Sequence, residues 1–223
     1  MDEIKLIDIR QNILSDNEEQ ADIIRANLAD KKVFMVNLMA SPGAGKTSVI
    51  LQTIKKLRNF LRLAVIEGDI ESMVDSEKIT AQEIPAVQIR TGGACHLDAP
   101  MITPALQALN LDALDLVFIE NIGNLVCPAE FDTGSDLKVM ILSVPEGDDK
   151  VLKYPLMFSV CDALLINKID YLDRSDFNME SLYKRVRRLN PEIKIFEVSC
   201  QTGEGIEAWS NWLLQRIQEK YSG

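Results

Sequence analysis

The chain has no apolar run of the roughly 18 residues that a membrane-spanning helix needs, which excludes an integral membrane span. Its first ten residues, Met1 to Arg10, scatter charges among the apolar positions, so they form neither a signal peptide nor a transit peptide. Positive charge is in the minority. Lys plus Arg total 24 against 34 Asp plus Glu, a net charge of −10 that repels phosphate backbones and argues against nucleic-acid binding. Histidine occurs once and cysteine four times. Without a leader the expected compartment is the cytoplasm, where so few cysteines serve as thiols or metal ligands rather than disulfides. No internal repeat, low-complexity tract or linker rich in Gly, Ser or Pro divides the chain.

What is present suits one α/β domain: 223 residues, 47% of them apolar. Apolar runs fall at Val33–Met39, Leu63–Glu67, Val87–Arg90, Leu116–Glu120, Val139–Val144, Ala163–Asn167 and Ile195–Ser199. Most are near-continuous, as in strands covered on both faces. Helical patterns lie between them, near 46–60, 75–83, 96–109, 177–189 and 205–219. This alternation predicts a doubly wound, mostly parallel sheet flanked by helices, with ligands at the carboxyl ends of the strands. Ser15 and Glu18 read as a capping box opening a helix through Ala21, Ile23, Ile24 and Leu28, with Ile4, Ile7 and Leu14 in a shorter arm upstream. Residues 1–30 are thus expected as an N-terminal helical segment and 31–223 as the P-loop domain.

Ala40-Ser41-Pro42-Gly43-Ala44-Gly45-Lys46-Thr47 follows a strand and opens a helix, the context that a phosphate-binding P-loop requires. Backbone N–H groups around Gly43, Ala44 and Gly45, with the helix start through Ser48, would cradle phosphates. Lys46 would reach the β- and γ-phosphates, and the Thr47 hydroxyl would ligate Mg²⁺. The usual first glycine is Ala40 here, which is tolerable where φ is negative.

Asn167-Lys168-Ile169-Asp170 closes another apolar run and has the spacing of a guanine-selective motif. An Asp170 carboxylate accepts from guanine N1–H and the 2-amino group, whereas adenine would leave it unpaired. Lys168 can lie along the base, and Asn167 can tie this loop to the phosphate loop. Ser199 and Cys200 begin a second base-contacting loop. Glu120 ends a strand with Gly123 three residues on, a position suited to an acid near Mg²⁺ and a backbone N–H that senses the γ-phosphate. Asp69 or Asp75 would orient the attacking water or hold Mg²⁺, although Asp75 is equally well read as an acid at a helix N-terminus. The candidate catalytic set is therefore Lys46, Asp69, Glu120 and Gly123, with Thr47, Asp75 and Glu120 around Mg²⁺.

Cys95 and His96 are adjacent, and Cys127 is a third potential ligand. Thiolate and imidazole suit Zn²⁺ and Ni²⁺. Spacing alone does not separate this reading from a hydrogen-bonded histidine beside small buried thiols, and neighbouring residues chelate awkwardly without a second subunit to complete the shell.

Taken together, these motifs resemble the HypB family, GTPases that help deliver nickel to [NiFe]-hydrogenase. Beyond the P-loop and Asn-Lys-x-Asp, the resemblance covers Cys95 to Ala99, Glu120 to Asp132 and Glu146 to Asp149. It implies a SIMIBI-type P-loop fold, GTP hydrolysis to GDP with Mg²⁺, and a dimer favoured by GTP. It also implies a Ni²⁺ or Zn²⁺ site at the dimer interface from Cys95, His96 and Cys127. The implied partners are a companion nickel chaperone and the hydrogenase large-subunit precursor. Many bacterial members carry an N-terminal Cys-rich nickel motif; here no cysteine precedes Cys95. Competing readings are a urease-type nickel chaperone, whose Cys-Pro-His motif is missing, a GTP-switched dimer held by structural zinc, and a small-molecule kinase. Cys161 reads as core, and Lys153 as a surface lysine or a contact to a partner subunit.

Overall fold

The computed structural model describes residues 9–69 and 84–221. Seven parallel strands form one sheet: β1 Phe34–Ala40, β2 Leu63–Asp69, β3 Ala86–Arg90, β4 Leu116–Glu120, β5 Leu137–Ser143, β6 Ala163–Asn167 and β7 Lys194–Glu197. Their order is β3-β2-β4-β1-β5-β6-β7. The sheet is wholly rather than mostly parallel among the described residues, and β1 at its centre is buried along its whole length. The chain moves outward from β1 to β2 and β3, returns to place β4 against β1, then leaves in the other direction. That reversal opens a crevice at the carboxyl ends of the strands.

Side chains of β1 alternate between two apolar layers, as a period of two demands. Phe34, Val36, Leu38 and Ala40 pack with α2 (Lys46–Leu57) and α8 (Ile206–Tyr221), whose Ile50, Ile54, Trp209 and Leu213 are buried. On the opposite face, Met35 meets α1 (Ile9–Lys31) and α3 (Ala99–Gln107), and Met39 meets α6 (Pro155–Val160) and α7 (Met179–Leu189). Asn37, on that second face, is the polar exception and is 1% exposed.

The N-terminal reading needs correction. Ser15 and Glu18 are exposed positions inside α1, not its start. No Gly or Pro interrupts the segment. Once a helix is nucleated, each added residue gains a hydrogen bond, so α1 runs straight through the capping-box pattern. Its Ala21, Ile24 and Leu28 are buried in the same layer as α3. The expected helix near 75–83 lies outside the described residues. The helix expected at 96–109 begins only at Ala99, where the Asp98 side chain accepts from Met101 N at 2.9 Å and caps it. Three short helices fall where no helix was expected: α4 Cys127–Glu130, α5 Lys150–Lys153 and α6. No helix among the described residues is long and apolar enough to cross a membrane.

Candidate nucleotide and metal sites

β1 delivers the chain to the phosphate loop at Ala40, which is extended strand, so the alanine there needs no positive φ. The loop itself does. Gly43 has φ +76° and Gly45 φ +101°, in the left-handed region that favours glycine. At Gly45 a Cβ would also come 2.5 Å from Asn167 Nδ2, so the position excludes side chains on two grounds. Gly45 is the N-cap of α2 and makes no side-chain cap, which leaves the first N–H groups of the helix to face the loop. Lys46 is buried, and Thr47 Oγ1 donates to Glu120 Oε1 at 2.8 Å.

A cavity of about 390 Å³ opens over this loop and reaches Glu67, Gly68 and the Glu120–Gly123 stretch. Glu67 was missed by sequence reasoning. It sits directly opposite Glu120 in the β2–β4 register, and both carboxylates are buried, at 3% and 7% exposure. The signal was the one that marked Glu120, an acid closing an apolar run in the sequence. Asp69 is the last residue of β2, one position past Gly68. Asp75 lies outside the described residues.

A second cavity of about 430 Å³ shares Gly45 with the first and is lined by Ser48, Asn167, Lys168, Asp170 and Cys200, with Tyr171 and Lys55 at its sides. Asn167 leaves β6 and donates from Nδ2 to the Ala44 carbonyl at 2.9 Å; its Oδ1 accepts from Lys168 N at 2.8 Å. Lys168 holds φ +62°, strained for a side chain with a Cβ, and its Nζ reaches the Gly43 carbonyl at 2.7 Å. Ser199 Oγ donates to Asp170 Oδ1 at 2.5 Å and accepts from Thr202 N at 3.1 Å. The loop after β7 therefore orients the carboxylate of the loop after β6. Burial, helped by the charge of Asp170, pushes the Cys200 thiol up to about 11, so it stays protonated at neutral pH.

On the other side of β4, Cys95, His96 and Cys127 come together within one chain. Their ligating atoms all lie within 4.8 Å of one another. Cys95 Sγ is 2.9 Å from Cys127 Sγ and 3.8 Å from His96 Nδ1. The backbone between β4 and α4 returns Cys127 to the Cys95–His96 segment. The imidazole stacks on Phe131, ring centroids 3.9 Å apart. Burial lowers the His96 pKa against the opposing charges of Asp98 and Glu130, which favours the neutral form that a metal ligand requires. The hydrogen bond with Cys95, together with burial, raises the Cys127 thiol.

The segment between Glu120 and Cys127 touches both regions. Gly123 lies against the phosphate loop, where a Cβ would meet Pro42 Cγ at 2.9 Å. Asn124 Nδ2 donates to the Cys95 carbonyl at 3.2 Å. Elsewhere, Cys161 is buried and packs on Met157 in the core, and Lys153 pairs with Asp149 of its own chain at 2.6 Å.

Comparison with known proteins gives one consistent result. The family model described as CobW/HypB/UreG, nucleotide-binding domain, matches residues 34–197. The "Hydrogenase maturation factor HypB" of Escherichia coli K12 is 44% identical over 213 residues, 96% of this chain and 73% of that protein. The protein of the same name from Azotobacter vinelandii is 47% identical over 94% of this chain and 69% of its own length. Among solved structures, HypB from Helicobacter pylori in complex with nickel superposes with a TM-score of 0.88 at 37% identity, covering 92% of this chain and 97% of that one.

Proposed function

The chain belongs to the HypB branch of the CobW/HypB/UreG family, and from that premise we propose that it is a GTP-hydrolysing metallochaperone whose nucleotide state controls its hold on Ni²⁺. The observation that carries this reading is the single short segment from Glu120 to Cys127. At one end its carboxylate accepts from the phosphate-loop Thr47, and at the other its thiol meets Cys95.

The phosphate loop and Lys46 would bind the triphosphate, and Asp170, held by Ser199, would accept from guanine N1–H and the 2-amino group. Thr47, Glu120 and Glu67 form an all-oxygen set that suits Mg²⁺, with Asp69 or Asp75 as the further acid that orients water. Mg²⁺ bound there would neutralise charge on the transferring phosphate. The Gly123 N–H would contact the γ-phosphate, and its close packing on Pro42 would make the 120–127 segment respond to hydrolysis.

The cargo site is Cys95, His96 and Cys127. Thiolate and imidazole donors suit Ni²⁺ and also Zn²⁺. Cys95 is exposed, so ligands from a second subunit can complete the shell in a GTP-favoured homodimer. GTP would hold one coordination arrangement; hydrolysis to GDP would relax it and release the ion. The receiving partners in this reading are a companion nickel chaperone and a hydrogenase large-subunit precursor.

The test is a Ni²⁺ titration with a non-hydrolysable GTP analogue and with GDP, run beside light scattering. The reading expects different affinities and a larger dimer fraction with the analogue. Equal affinities refute the switch, and a preference for ATP refutes the guanine pocket. Tight tetrahedral Zn²⁺ with no transfer to an acceptor would instead make the cluster a structural clamp.

A further inference from the structure

A fully buried polar residue, Asn121, lies between the phosphate cavity and the Cys95–His96 segment. Asn121 follows Glu120 and is 0% exposed. Its Oδ1 accepts from two backbone N–H groups, Leu97 at 3.0 Å and Ile122 at 2.8 Å. Two donors converging on one end of the amide make that end the oxygen, which leaves the NH₂ to donate to Asn37 Oδ1 at 3.1 Å. Asn37 lies on β1, three residues before Ala40, and its own buried Nδ2 has no partner among the described residues.

Leu97 is the residue after His96. Its side chain fills the space over Gly68, where a Cβ would lie 2.7 Å from Leu97 Cδ1. The Cys95–His96 segment is therefore anchored twice beside the phosphate cavity. A backbone N–H fixes it to the residue next to Glu120, and an apolar side chain fixes it over the residue next to Glu67.

We infer that Asn121 is the positioning residue that carries the state of the phosphate cavity to the metal cluster, a step that rests on the coupling proposed above. A shift of the backbone at 120–123 moves Oδ1. The Leu97 N–H must follow, because a buried donor left without an acceptor is costly. His96, one residue away, then moves relative to Cys127. The Asn121 and Asn37 side-chain amides and the Leu97 and Ile122 N–H groups are joined in one buried set, so a shift at Asn121 must be taken up by the groups bonded to it. Asn124 also grips the metal segment, at the Cys95 carbonyl, but it does not line the phosphate cavity. On this inference Asn124 chiefly sets how firmly the metal segment is held, while the response to nucleotide passes through Asn121.

The experiment compares Ni²⁺ affinity with GTP analogue and with GDP in the full chain, its Asn121→Ala and Asn124→Ala variants, and Asn37→Ala, which frees the other end of the amide. In the unsubstituted chain the two affinities are expected to differ by about tenfold, within the usual range of coupling between sites. Asn121→Ala brings the ratio close to one. Asn124→Ala weakens Ni²⁺ in both states and keeps the ratio. If the unsubstituted chain shows no difference, the coupling itself is wrong and this inference falls with it. If the difference is present and a folded Asn121→Ala retains it within about twofold, only the role of Asn121 is overturned. Should Asn121→Ala fail to fold, Asn37→Ala is judged by the same criterion. Equal loss of the ratio in Asn124→Ala also overturns it, since any loosening of the segment would then suffice.

Discussion

Asn167 donates to the carbonyl of Ala44 at 2.9 Å, so the loop after β6 is fastened to the loop after β1 across the strand that separates them. The loops that line the two candidate cavities are thereby tied to each other. Asp170 projects from the loop after β6 with its carboxylate set by Ser199. In Asp170→Asn the new amide offers a donor where guanine also presents donors, while xanthine presents a carbonyl at C2. GTP affinity is expected to fall at least about tenfold, the loss of one hydrogen bond to a charged group, with XTP improving in parallel. Competition binding with a fluorescent nucleotide measures both, and unchanged selectivity would remove the base pocket from the account.

Gly45→Ala and Gly43→Ala separate strain from approach. Both positions have positive φ, but only at Gly45 would a Cβ strike Asn167; at Gly43 it meets nothing within 4 Å. Gly43→Ala should cost about 1 kcal/mol in urea denaturation, the backbone penalty alone. Gly45→Ala should cost more and should also break the Asn167–Ala44 bond, so nucleotide affinity falls further than stability does. Equal effects at the two sites would contradict the packing at Gly45.

Glu67 and Glu120 face each other on neighbouring strands at the edge of the phosphate cavity. Glu67→Gln keeps the shape and removes one charge from the oxygen set. The Mg²⁺ concentration for half-maximal GTP hydrolysis should rise by about tenfold, because hard cations are held by carboxylate charge. An unchanged Mg²⁺ dependence would assign Glu67 to the fold alone.

That pair also shows where the sequence stops being legible. The phosphate loop and Asn-Lys-x-Asp are each an unbroken run in the sequence, so local pattern and strand context were enough to single out Gly43, Lys46, Asn167 and Asp170, which line the two cavities. The pairing of Glu67 with Glu120 depends on β4 inserting between β2 and β1, a long-range choice that no local pattern encodes. The convergence of Cys95 with Cys127 is likewise long-range: they are 32 residues apart and follow β3 and β4, which β2 separates in the sheet. Ser15 failed in the opposite way, a local capping signal overridden by a helix that nothing in residues 9–31 interrupts. Asn121 left no signal, since a buried asparagine reads in sequence as an ordinary polar residue after a strand.

Acid should loosen α1. Asp132 receives Arg25 at 3.0 Å and Lys138 at 3.5 Å. Burial works against its charge, but Lys138, the Gly134 N–H and Arg25 outweigh it and hold the carboxyl below its usual range. A carboxyl depressed in the folded state adds stability above its unfolded value, about 3.9, and loses it as pH falls through the folded value. Unsubstituted protein should therefore lose more stability than Asp132→Asn between about pH 5 and 2, with the two melting curves converging at the acid end. Parallel curves would show that Asp132 makes no net contribution.

Cys127→Ala tests whether the metal cluster and the nucleotide pocket are separable parts. Cys127 is the first residue of α4 and touches Cys95, and it does not line either nucleotide cavity. In the proposed site its thiolate would be one of three donors, so Ni²⁺ affinity should fall by at least about tenfold, at the lower end of what even outer groups of a metal site cost. GTP binding without added metal should stay unchanged, because Glu120, Gly123 and the phosphate loop keep their contacts. Hydrolysis without metal should likewise be preserved, while any effect of Ni²⁺ on the hydrolysis rate should disappear. Calorimetry for the metal and single-turnover hydrolysis for the nucleotide read the two parts independently. Loss of GTP binding in this variant would mean that α4 supports the phosphate cavity directly, and the 120–127 segment could then no longer be treated as a link between two sites.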